Sequence, residues 1–152
     1  ALHKHFAVLW FCAMAGAART RLEPSTLTRL FGGEMPPRVL AQVPHCLEER
    51  DGTRRIHRLY VPSPTANPRT VLRRLDTDLT EARGTPGKLT DWIRTGTYAL
   101  TVLVMQRAST RDQPDAASTL RAALRRRALP VGVYVVPGPM NVVEELHARQ
   151  HA

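Results

Sequence analysis

The chain has 152 residues, a formal net charge of +9 and two cysteines. This length accommodates one domain with a sizeable hydrophobic core. Two cysteines are too few for a disulfide-stabilised scaffold. The sequence contains no Asn-x-Ser/Thr acceptor for N-glycosylation, so neither feature favours a secreted glycoprotein. The strong positive charge predicts a polyanionic partner, such as RNA, an anionic lipid surface or an acidic protein.

Arginine supplies almost all of the positive charge. The chain has 20 arginines, whereas its lysines are Lys4 and Lys88. One explanation is the codon usage of a GC-rich genome. The other is functional, because the planar guanidinium group forms paired hydrogen bonds with phosphate and carboxylate groups. Both explanations fit the sequence.

Residues 1–18 have a basic start followed by an apolar run from Phe6 to Ala18. The run has features of a secretory signal peptide, including small residues near its end. Its roughly 13 residues fall short of the ~20 that cross a bilayer as a helix. The segment is interpreted first as a helix buried against the domain or a partner. The alternatives are an uncleaved signal peptide and a membrane contact through residues 6–18.

Residues 19–42 are predicted to form an extended linker with one short helix. Ser25 is positioned to cap this helix, which is predicted to end at Phe31 before two glycines. A pair of prolines then favours an extended path, because the residue before a proline avoids helical conformation. Residues 43–152 are predicted to form a single α+β domain.

A β-hairpin closed by Asp51-Gly52 is predicted over residues 43–61. This dipeptide favours a two-residue type I′ turn, in which both central residues have positive φ. A two-residue loop determines which residues of the two strands face each other. The predicted partners are Glu49 with Arg54, Glu48 with Arg55, Leu47 with Ile56 and Cys46 with His57.

A helix is predicted over residues 67–83, where Asn67-Pro68 supplies a cap and a first-turn proline, and Gly84 a stop. Its apolar residues recur at helical spacing: Val71, Leu72, Leu75, Leu79 and Ala82. The acidic side chains of this helix are expected to form ion pairs with its arginines rather than a catalytic acid–base pair. The acids are Asp76, Asp78 and Glu81, and the arginines are Arg73, Arg74 and Arg83. A shorter helix is predicted around Leu89, Trp92 and Ile93.

The stretch from Thr97 to Val136 is the central unit and predicts strand, helix, strand. Residues 97–106 are apolar on both faces, as in a strand covered on each side. Asp115 is positioned to cap a helix that ends at Leu129, and the strand signal returns at 131–136. Units of this kind are usually parallel and right-handed.

These elements together predict the α+β (or α/β) class. The expected architecture is a mixed sheet of about four strands, with a β-hairpin, a parallel strand–helix–strand unit and covering helices. A polar loop is expected at 107–115 and a C-terminal helix at 141–149.

The stretch from Gly84 to Thr90 is superficially similar to a phosphate-binding loop. The first glycine of such a loop would fall at Ala82, and Leu89 replaces the hydroxyl residue that binds Mg²⁺. The stretch also follows a helix, whereas the motif follows a strand. No nucleotide or other cofactor is therefore expected.

Cys46 and His57 face each other in the predicted hairpin, with His45 adjacent. A thiol and an imidazole can act as nucleophile and base, or as half of a metal site. The pattern shows neither the further ligands nor an orienting third group. A buried thiol beside an ordinary histidine is expected, with no metal site and no catalytic residues.

Ten arginines are the candidate residues for binding RNA or a partner protein. They form three clusters, on the hairpin, on the 67–83 helix and on the crossover helix. They are Arg54, Arg55, Arg58, Arg69, Arg73, Arg74, Arg121, Arg125, Arg126 and Arg127. A solvated face accounts for any single cluster, but three clusters favour a protein embedded among RNA phosphates. Aromatic residues are scarce near them, which argues against single-strand recognition by base stacking.

The sequence therefore predicts a non-catalytic structural subunit of a large assembly. We expect a basic mitochondrial ribosomal protein that contacts rRNA and neighbouring protein subunits. An accessory subunit of a mitochondrial respiratory or ATP synthase complex is an alternative, which better accounts for the apolar N-terminal segment. A small secreted binding protein, viral in one version, is another, and it requires residues 1–18 to be a signal peptide.

Overall fold

The structure, a computed structural model, describes residues 2–13, 18–106 and 115–138, together with Gln150. These residues form one mixed sheet of five strands and six α-helices. The strands are β1 (Ala18–Leu22), β2 (His45–Arg50), β3 (Thr53–Tyr60), β4 (Tyr98–Met105) and β5 (Val131–Val136). The helices are α1 (Leu2–Ala13), α2 (Pro24–Phe31), α3 (Pro37–Gln42), α4 (Pro68–Gly84), α5 (Lys88–Thr95) and α6 (Ala116–Arg126).

The strands lie side by side in chain order, from β1 at one edge to β5 at the other. The β1–β2 and β2–β3 pairs are antiparallel, and the β3–β4 and β4–β5 pairs are parallel. The predicted α+β class and the parallel unit built on β4 and β5 are confirmed. The sheet has one strand more than expected.

The hairpin has the predicted register at each of its four predicted pairs. Asp51 and Gly52 have φ of 52° and 77°, as a type I′ turn requires. The predicted helix caps also form, because the Asn67 side chain accepts from the Arg69 N–H and Asp115 accepts from the Ala117 N–H. Turn and cap chemistry is local, which makes these features predictable.

The structure adds β1 and α3 within residues 19–42, where the sequence predicted an extended linker with one helix. Pro37 occupies the first turn of α3, where a missing N–H costs nothing, so the second proline opens a helix. Pro24 similarly opens α2, and Glu23, rather than Ser25, is the N-cap residue. Side chains from this segment enter the main core: Leu22, Leu27, Phe31, Met35 and Val39.

Helices cover both faces of the sheet. Helices α2 to α6 pack on one face, where Tyr98, Leu100 and Val102 of β4 are buried. Helix α1 packs on the opposite face, against Leu59 and Leu103, through Ala7, Val8 and Phe11. Strand β4 is therefore buried on both sides, as its doubly apolar sequence predicts. The predicted tail helix at 141–149 and most of the predicted loop at 107–115 lie outside the described residues.

Candidate functional site

A row of polar side chains crosses the sheet face beneath α1. Arg19 Nε on β1 donates to Glu48 Oε1 on β2 at 2.7 Å. The other carboxylate oxygen of Glu48 lies 3.5 Å from Nε2 of His57 on β3. Nδ1 of His57 in turn lies 2.8 Å from the hydroxyl of Thr101 on β4. Four neighbouring strands thus contribute one polar group each.

Helix α1 encloses this row through Phe11. The Arg19 guanidinium carbon lies 4.0 Å from the centre of the Phe11 ring, and Arg19 Nη1 donates to the Phe11 carbonyl at 3.3 Å. The same ring packs edge-on against His57 and Tyr134. Only 1% of His57 and 1% of Thr101 is exposed. Burial of charge at this depth requires the partners that the row supplies.

Burial alone would raise the pKa of Glu48, but the hydrogen bond and the charge of Arg19 lower it below its ordinary value. Burial lowers the pKa of His57 in spite of the Glu48 carboxylate. The row is therefore an Arg–Glu ion pair beside a neutral imidazole. The sequence indicated no orienting group for His57, and the structure places Glu48 there.

The predicted Cys46–His57 pair occurs as register partners, but the side chains interact elsewhere. The Cys46 thiol is fully buried and donates to the Leu47 carbonyl at 3.8 Å, in a buried cluster against which Cys12 of α1 packs. His57 contacts Thr101 and Glu48. Within the described residues, no group of three or more His, Cys, Asp or Glu side chains is arranged to hold a metal ion.

A second buried polar network lies on the opposite face, around Arg58. Its side chain is 4% exposed and lies 3.4 Å from both Asp78 and Glu81 on α4. Asp78 also pairs with Arg74 at 3.1 Å, as predicted, whereas Glu81 pairs with Arg38 of α3 at 3.1 Å. Arg58 is thus removed from the surface proposed to bind RNA. Arg58 lies on the same face of β3 as Ile56, so its side chain points toward the helices α2 to α6.

A small cleft opens beside this network at the end of β3. Its charged lining residues are Lys4, Arg58, Arg74 and Asp78. Its volume is about 120 Å³, well below the ~300 Å³ at which pockets for small organic ligands usually begin. Two of the three cations that line it already pair with Asp78. The cleft suits solvent better than an organic substrate.

In the stretch from Gly84 to Thr90, which is superficially similar to a phosphate-binding loop, a backbone N–H binds a carboxylate group of the same chain. The Leu89 N–H at the start of α5 donates to Glu34 Oε2 at 3.3 Å. A side chain at Gly87, where φ is 109°, would collide with the Glu34 carboxyl group at 2.8 Å. Lys88 donates to the Leu30 carbonyl at 2.8 Å. These contacts explain the Gly-Lys sequence without a nucleotide.

The remaining nine candidate arginines lie at the surface. Arg54 pairs with Glu49 across the hairpin at 3.5 Å, Arg55 is exposed on the same strand, and Arg74 is held by Asp78. Six others lie on α4 and α6 or at the C-terminal end of α6, and we call them the basic face. They are Arg69, Arg73, Arg121, Arg125, Arg126 and Arg127, all exposed.

The two helices that carry the basic face pack against each other. Val71, Leu72 and Leu75 of α4 share one buried cluster with Leu120 and Leu124 of α6. Asp76 is the one exposed acid on these two helices. Arg121 donates to the Val133 carbonyl at 3.0 Å, and a guanidinium keeps further donors for a ligand. The face can bind polyanions through several guanidinium groups at once.

The sequence matches no protein-family model and no curated protein. No helix within the described ranges combines the length and the hydropathy that crossing a bilayer requires.

Proposed function

We propose that this protein is a non-catalytic structural subunit of a large ribonucleoprotein assembly, in which the basic face contacts RNA phosphates. The observation that carries the proposal is the clustering of six exposed arginines, with a single exposed acid, on two adjoining helices. Phosphate contacts of this type position a protein on RNA without reading its bases. Ribosomes are the assemblies to examine, and the mitochondrial ribosome is the first of them.

The buried polar groups support a structural role. A catalytic base or nucleophile must touch its substrate, and the His57 and Thr101 side chains are almost entirely enclosed by protein. Arg58 and Asp78 are likewise paired in the interior. Among the residues that the structure describes, most of the exposed charged side chains are arginines, which act as permanent cations.

A sedimentation experiment tests the proposal. A tagged copy of the chain is expressed in cells, and the lysate is separated on a density gradient before and after ribonuclease treatment. We expect the protein to co-sediment with a large particle that contains RNA, and to leave that particle after treatment. Sedimentation as a free small protein before treatment would contradict the proposal.

A matched pair of variants makes the experiment specific to the basic face. The test variant is Arg73→Glu with Arg125→Glu, on the basic face. The control variant is Arg29→Glu with Arg94→Glu, at exposed positions on α2 and α5. Both variants change the net charge by the same amount. We expect the first variant to lose co-sedimentation and the second to retain most of it. Equal losses would show that overall charge, and not this face, mediates assembly.

A second candidate function, an accessory subunit of a membrane complex, is favoured by the outer side of α1. Leu2 is 86% exposed and Leu9 is 63% exposed, and both lie on this one helix. Exposed large apolar side chains on one element favour an apolar partner surface. The same gradient separates the candidates, since this complex would resist ribonuclease and respond to detergent.

A further inference from the structure

The two cysteines of the chain meet where α1 packs on the sheet. Cys12 lies in the last turn of α1 and packs against the buried cluster that contains Cys46 of β2. Both cysteines are free, and the Cys46 thiol donates to the Leu47 carbonyl at 3.8 Å. The two thiols interact closely enough for each to shift the pKa of the other. Because they belong to elements distant in the sequence, a bond between them would join α1 to the sheet covalently.

The surroundings make the two thiols chemically different. Arg21 is the register partner of Cys46 on β1, and Arg19 is held beside them by Glu48 and the Phe11 carbonyl. The interaction with the Cys46 thiol lowers the pKa of Cys12 against the opposing effect of burial, and the Arg21 and Arg19 charges lower it further. Cys12 is also partly exposed, whereas Cys46 is fully buried. An accessible thiol with a lowered pKa is the type that oxidants attack first.

We propose that Cys12 and Cys46 form a reversible disulfide that fastens α1 onto the sheet, with Cys12 as the thiol oxidised first and Cys46 as the resolving thiol. The oxidant is a peroxide. The Cys12 thiolate attacks one peroxide oxygen, the O–O bond breaks, and hydroxide leaves to give a sulfenic acid. The Cys46 sulfur then attacks the Cys12 sulfur, and water leaves as the S–S bond forms. Two thiols lose two protons and two electrons, and the peroxide is reduced to two waters.

The order of the two steps follows from exposure. Cys12 is partly exposed and Cys46 is fully buried, so a peroxide in solution reaches Cys12 first. Cys46 belongs to the buried cluster against which Cys12 packs, so it is the thiol available to resolve the sulfenic acid.

The disulfide would control how firmly α1 seals the polar row of Arg19, Glu48, His57 and Thr101. In the reduced protein, α1 is held by the buried side chains of Ala7, Val8 and Phe11 and by the Arg19 contact with Phe11. Closing a roughly 35-residue loop by a disulfide stabilises the folded state further.

The test uses the full chain, fully reduced and then treated with hydrogen peroxide. We expect peptide mapping without reductant to show Cys12 and Cys46 joined within one molecule, with the loss of two hydrogen atoms from the intact mass. We also expect Tm to rise by roughly 5–10 °C and to return after dithiothreitol treatment. Oxidation of Cys12 to sulfinic acid without a crosslink, or crosslinks only between molecules, would overturn the proposal.

Two variants assign the roles of the thiols. In Cys46→Ala we expect Cys12 to stop at the sulfenic acid, which a cyclic dione traps, and no peroxide-induced rise in Tm. In Cys12→Ala we expect Cys46 to react at least tenfold more slowly than Cys12 does in Cys46→Ala. Equal rates would overturn the assignment. Should Cys46→Ala fail to fold, the joined peptides of the wild-type chain and the rate in Cys12→Ala still decide.

Discussion

The Tyr98 hydroxyl lies 2.7 Å from Nε2 of His45, on the sheet face that α2 to α6 cover. Nδ1 of His45 lies 2.9 Å from the Val43 carbonyl, which can only accept, so Nδ1 carries the ring proton. Nε2 is then the acceptor, and Tyr98 donates to it. Burial raises the pKa of Tyr98 against the opposing effect of the Arg58 charge, and Arg58 itself pairs with Asp78 and Glu81.

Tyr98→Phe removes the hydroxyl from this chain of hydrogen bonds. It leaves Nε2 of a fully buried histidine without a donor. We expect the free energy of unfolding to fall by about 1–3 kcal/mol, the cost of leaving a buried polar group unsatisfied. Urea denaturation measures the change. The control is Tyr134→Phe, whose half-buried ring keeps its contact with Phe11 and for which we expect a smaller loss.

Stability should fall in mildly acidic solution because of His45. Burial lowers its pKa from 6.5 to about 4 in the folded protein, against the opposing hydrogen bond to Val43. Above pH 6.5 the ring is neutral in both states, and the stability is fully present. Between pH 6.5 and 4 the unfolded chain binds a proton that the folded protein does not, so the unfolding free energy falls by about 1.4 kcal/mol per pH unit.

Urea denaturation at several pH values between 7.5 and 4.5 measures this dependence. His57, whose pKa burial also lowers, contributes in the same direction. His45→Asn should be less stable at pH 7.5 but should lose less stability on acidification, because its amide does not titrate. An unfolding free energy that is flat from pH 7.5 to 4.5 in the wild-type chain would refute this account of His45.

Asp78→Asn tests the buried ion pair. Asp78 is 6% exposed and lies 3.4 Å from Arg58. A neutral amide leaves Arg58 with Glu81 as its remaining carboxylate, so we expect a loss of about 3 kcal/mol, at the lower end for a broken buried pair. Asp76→Asn on the exposed side of the same helix is the matched control, with an expected change within about 0.5 kcal/mol. Similar losses for both variants would show that Asp78 does not stabilise Arg58.

Features that depend on neighbouring residues were predictable from the sequence. Asp51-Gly52 closes the hairpin in the predicted register, since a two-residue turn leaves one alignment of the flanking strands. Strand β1 was not predicted, because Ala18–Leu22 carries arginines where an apolar alternation would indicate a strand. The side chain of Arg19 is nevertheless only 4% exposed, and Glu48 makes that burial favourable. A long-range partner of this kind leaves no local signal.

Arg58 shows where the sequence contained a signal that the arginine-cluster prediction did not use. The alternation of β3 places Arg58 on the same side as Ile56 and Tyr60, away from Arg55. An arginine on an apolar face needs an acidic partner. The acids of α4 were assigned to arginines of their own helix, yet Glu81 pairs with Arg58 and Arg38 from other elements. Local spacing predicts local pairs and omits those made by tertiary packing.

The most direct test of the proposed function is the salt dependence of RNA binding by the purified chain. Fluorescence anisotropy with a structured RNA between 50 and 200 mM salt gives the slope of log affinity against log salt. Each phosphate contact contributes roughly 0.7–0.9 to that slope. Arg73→Glu with Arg125→Glu should therefore reduce the slope by about 1.5, and Arg29→Glu with Arg94→Glu should leave it near the wild-type value. Equal slopes for the two variants, or no RNA binding at 50 mM salt, would contradict the proposal that the basic face binds RNA phosphates.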